Sequence, residues 1–171
     1  MKKAESVFVV DIIESVAVKV ATELGIHINY VYGDEIDIIT NLKDKDGSVT
    51  LKGTKYVLLA LYMPFIERRG ESVPLYADVT IRRVTIATLT NSDDLPMARY
   101  QKTFKPILYP VYESFLLNLA HDNHITSKDP NLLTHIKVDT MGAVPVSGIN
   151  DFVDCINLDN LQFSITQTKF C

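Results

Sequence analysis

The sequence predicts an α+β fold: a single domain spanning residues 1–171, with a mainly antiparallel sheet, a long central hairpin and two packed helices, one N-terminal and one central. Three observations carry that reading. In Lys102–Ala120 the apolar residues Leu108, Val111, Tyr112, Phe115, Leu116 and Leu119 recur at helical spacing and make one broad stripe. Before it, Tyr56–Thr90 is dominated by β-branched and aromatic residues, and after it Phe152–Thr166 is again β-rich. Finally, 171 residues with 47% hydrophobic and 22% charged residues are enough to bury one substantial core, and no repeat, low-complexity tract or long linker divides them.

Ala4–Leu24 is expected to be the N-terminal helix. Valine is a poor helix former. Acidic residues near its start and Lys19 near its end nevertheless suit the helix dipole, and Gly25 is placed as a C-terminal stop. Ile26–Tyr32 alternates and Ile36–Ile39 is β-branched, so both read as strand. Asn41–Gly53 is polar and centred on Asp46-Gly47, a hairpin signal. Tyr56–Ile66 and Val73–Thr90 form the long hairpin, with a turn at Glu67–Gly70 and a bulge expected at Arg82-Arg83.

Asn91–Gln101 lacks periodicity and reads as a surface loop. Proline suits the first turn of a helix and not its interior, so Pro106 or Pro110 is expected to start the central helix. His121–Asn131 reads as polar loop, Leu132–Val138 as a short strand, and Thr140–Gly148 as an arm. Phe152–Ile156 and Leu158–Thr166 close the sheet.

The search for chemistry yields no catalytic, cofactor-binding or metal-binding residue. His121 and His124 make a close pair, but zinc needs three or four ligands, and a solvated loop after the helix accounts for them. Asp44-Lys45-Asp46-Gly47 begins like a calcium loop, yet Lys55 stands where the bidentate carboxylate belongs. Nucleophile elbows, phosphate loops and dinucleotide fingerprints are absent, and seven scattered glycines leave little material for them. Cys155 and Cys171 are too few for a disulfide scaffold, so Cys155 reads as a small buried hydrophobe and Cys171 as a tail thiol.

No apolar run is long enough to span a membrane, and Glu5, Asp11 and Glu14 interrupt any signal-peptide core, so the chain is expected to be intracellular where it is made. A net charge of −4 argues against gripping nucleic acid through phosphate neutralisation. The basic residues concentrate at Arg68-Arg69, in a turn, and at Arg82-Arg83, in a strand. Alternation sends one of the second pair towards the interior or an interface, where ion pairing across a subunit contact is expected ahead of DNA contact. Tyr100, Phe104, Tyr109 and Tyr112 crowd the approach to the central helix as core or interface anchors, since no basic groove accompanies them as base stacking would need.

The order of elements, with the phrases RYQKTFKPILYPVYESFLLNL from Arg99 and DFVDCINLDNLQFSI from Asp151, resembles the small neck and tail-completion proteins of tailed bacteriophages, the tail-terminator and head–tail joining group. The corresponding pieces are Ala4–Leu24, Tyr56–Thr90, Pro106–Ala120 and Phe152–Thr166. The resemblance implies a non-catalytic protein without cofactor, made in the host cytoplasm and destined for the neck or tail of the virion, a homo-oligomeric ring through which DNA passes. Its partners would be other neck, portal or tail proteins, and no membrane. Arg68, Arg69, Arg82, Arg83, Tyr100, Phe104, Met141 and Val144 are the candidate interface residues. The Asn41–Gly53 tip, the Asn91–Gln101 loop and the Thr140–Gly148 arm are the segments expected to touch neighbouring rings. Two other readings are distinguishable: a small ligand-binding or adaptor module with a Tyr/Phe-lined pocket beside the central helix, and an enzyme using His121, His124 and nearby carboxylates.

Overall fold

Val9–Leu24 winds into the first helix, α1, because Val9, Ile12, Ile13, Val16, Ala17 and Val20 fall on one buried face at helical spacing; packing overrides the weak propensity of valine. Gly25 ends it at φ +62°, a left-handed cap whose N–H donates to the Ala21 carbonyl. The computed structural model describes residues 8–38, 57–69, 76–91, 93–126, 129–143 and 153–166. The Asn41–Gly53 tip and Val144 lie outside the described residues, as do residues 144–148 of the arm.

Five strands follow in the chain: β1 (Ile28–Gly33), β2 (Val57–Arg69), β3 (Tyr76–Leu89), β4 (Thr134–Ala143) and β5 (Val153–Thr166). Among the described residues they form one sheet in the order β1-β2-β3-β5-β4. β2–β3, β3–β5 and β5–β4 are antiparallel, whereas β1 and β2 run parallel, so the sheet is mixed. The fold is α+β. The chain from β1 to β2 is therefore a crossover and not a tight turn between them.

Several expected boundaries move. Residues 35–38 are a helical turn, not strand. Gly33 (φ +148°) stops β1; a Cβ there would lie 2.6 Å from the Asp37 Cβ. Asp34 and Asp37 then cap each other's backbone N–H at 2.9 and 3.2 Å, a reciprocal box that starts a helix despite the β-branched isoleucines. β2 runs through residues 67–69, where a turn is expected, because those residues remain paired with β3 as far as Arg69 opposite Ala77. β5 is one uninterrupted strand, and β4 extends into the arm as far as Ala143.

The central helix departs furthest from expectation. It begins at Pro96, inside the expected loop, and passes through both prolines proposed as its start: α2 (Pro96–Arg99), a π-helical stretch (Tyr100–Leu108) and α3 (Tyr109–Ala120) are continuous. Proline lacks the N–H of an α-helical bond and crowds the preceding turn. The wider π winding, in which the Tyr109 N–H reaches the Phe104 carbonyl, accommodates Pro106, and Pro110 falls at the opening of α3.

α1 and the central helix lie on the same face of the sheet. Phe104, Leu108, Val111, Phe115 and Leu119 meet Ile13 and Val16 of α1 and Ile81, Ile86, Ile156, Leu158 and Leu161 of the strands in the main core. A smaller cluster on the opposite face joins Val31, Ile38, Leu58, Ala60, Ala87 and Cys155. The core-facing phase slips along one line across three strands. It jumps from Ile81 to Val84 in β3 and from Leu158 to Leu161 in β5, while β2 sets Met63 and Pro64 between its pairings at Tyr62 and Phe65. The irregularity expected at Arg82-Arg83 is there, and its neighbours share it: Asn160 takes φ +54°, and Pro64, which has no N–H, sits at the β2 bulge.

Candidate subunit interface

The candidate interface residues do not converge on one patch. Arg68 and Arg69 are exposed on β2, and Arg69 pairs with Glu67 at 3.3 Å. Alternation predicts that one of Arg82 and Arg83 points towards the interior or an interface; neither points into the core, and both are exposed, because the core-facing phase slips between Ile81 and Val84. Arg83 donates to Asp159 of the neighbouring strand at 2.7 Å, so its ion pair lies within the chain, where the carboxylate holds the guanidinium further into its charged form. Along the same sheet face Thr85 donates to Asn157 at 2.6 Å and Ser164 to Asp78 at 2.5 Å. These are cross-strand polar pairs of the sheet, each worth a few tenths to about 1 kcal/mol.

Phe104 is a correction of another kind. It is 1% exposed and belongs to the core, because the π winding turns it onto the sheet, so it cannot anchor a neighbour. Tyr100 is 36% exposed and meets Tyr109 edge-on at 6.1 Å. Tyr109 and Tyr112 clamp β4 onto the helix. Tyr109 donates to Asp139 at 3.0 Å, and Lys137 reaches over its ring at 4.5 Å while pairing with Asp139. The His135 Nδ1–H donates to the Leu133 carbonyl at 3.0 Å, and Nε2 lies 2.7 Å from the Tyr112 hydroxyl. These ring contacts and hydrogen bonds hold β4 against the central helix.

The residues after the central helix are not a solvated loop. His121 is exposed, but Asp122 is buried and accepts from Lys19 Nζ at 2.8 Å, from the His124 N–H at 3.1 Å and from His124 Nδ1 at 2.9 Å. Burial raises the Asp122 pKa, and the Lys19 and His124 bonds outweigh it, leaving the carboxyl below its ordinary range. The cluster ties α1 to the end of α3. His121 and His124 do not share a ligand site, and no group of three or more His, Cys, Asp or Glu side chains is placed to hold a metal among the described residues.

Sequence reasoning missed one buried polar knot. Asp154 is fully buried; Thr103 donates to it at 2.6 Å and Arg99 Nη1 lies 3.5 Å away, while Arg99 Nε donates to the Asp94 carbonyl. The signal was present: Asp154 precedes Ile156 and Leu158 in the core-facing phase of β5, where a carboxylate requires a partner. Cys155, on the opposite phase, is buried, and burial pushes its thiol up, which keeps it protonated and inert at neutral pH.

Among the described residues β1 and β4 each have one strand partner. Ile136, Val138 and Met141 of β4 are 57%, 39% and 43% exposed. Between β1 and α1 lies a groove of about 390 Å³. No helix is long and apolar enough to cross a membrane among the described residues. No protein-family model matches the chain, and no curated protein matches it.

Proposed function

We propose that the chain is a structural subunit of a tailed bacteriophage virion, one copy of a closed ring in the neck or at the tail end through which DNA passes. The observation that carries this reading is that, among the described residues, β1 and β4 end the sheet and β4 leaves Ile136, Val138 and Met141 exposed. Edge strands template association with another chain unless they are covered. The element order of an N-terminal helix, a long antiparallel strand pair, a helix laid across it and a returning strand supports the resemblance to neck and tail-completion proteins.

The role is mechanical rather than catalytic and uses no cofactor. Its partners are further copies of the chain and the neighbouring portal, neck or tail proteins. Net charge of −4 suits a lumen that repels phosphate, so that DNA slides without sticking. Arg68, Arg82, Tyr100 and Met141 remain available on the exterior for contacts between rings. Antibody labelling of purified particles of the phage that encodes the chain tests this reading. Label is expected at the head–tail junction or tail end, and particles free of the chain would contradict it.

A further inference from the structure

We draw no further inference here: the strongest candidate, the groove of about 390 Å³ between α1 and β1 with Ala17, Val18, Ala21 and Ile28 along its walls, is a largely apolar face, and nothing in the structure shows what covers it.

Discussion

Asp154→Ala should lower the unfolding free energy by about 3–5 kcal/mol, as expected when one partner of a buried ion pair is removed and the other remains. The Arg99 side chain is 11% exposed, so the guanidinium left behind has little access to water. Thr103 would also lose its acceptor at 2.6 Å and would turn to the Arg99 carbonyl. The knot fastens the start of the central helix to β5, hence Asp154→Ala should loosen the π-helical stretch before the rest of the fold. Urea denaturation of the purified chain gives the magnitude, and hydrogen exchange over residues 96–108 locates it. A paired replacement, Arg99→Met with Asp154→Leu, should recover most of the loss, because two apolar side chains of similar size need no partner. If Asp154→Ala shifts stability by less than about 1 kcal/mol, the range typical of a single neutral hydrogen bond, the pair does not hold the helix to the sheet.

Phe104→Ala is expected to cost about 3–5 kcal/mol, the usual range for removing a fully buried aromatic ring. It packs with Leu108, Val111 and Phe115 against the strands, and its ring lies 5.8 Å from Tyr109. Tyr100→Ala, only four residues earlier, should cost about 1 kcal/mol or less, since it forgoes one edge-on ring contact at a half-open position. The contrast matters because spacing alone places both aromatics at the same surface. Thermal melts of the two variants distinguish core from exterior; near-equal losses would contradict the burial assigned to Phe104.

Where the structure followed the sequence, a periodic pattern was strong enough to beat local propensity. The valines of α1 argue for strand one at a time, but Val9, Ile13, Val16 and Val20 share a helical face. In β3 the spacing of Val79, Ile81, Val84 and Ile86 encodes the phase slip directly. What the slip did to Arg82 and Arg83 was not legible, because it depends on β2 and β5 slipping along the same line.

Local chemistry misled in two places. Pro106 and Pro110 are start signals in an α-helix, and nothing in a single sequence says that the chain will widen to a π-helix and carry them inside. Ile36 and Ile38 look like strand, and the Asp34–Asp37 box that makes them helical was overshadowed by β-branching. Polar contacts distant in sequence were least legible. Lys19 reaches Asp122 and Thr103 reaches Asp154 only after α1 and the central helix have docked on the same face of the sheet. The order of strands belongs to the same category: which strands end the described sheet is a property of topology, so β4 reads as a short strand and arm until its place beside β5 is known.

The central claim, that copies of this chain close into a ring, is tested most directly by negative-stain electron microscopy of the purified protein at high concentration. The account predicts closed rings of uniform subunit number with a hole wide enough for duplex DNA. Particles of monomer size, or open filaments without closure, would contradict it.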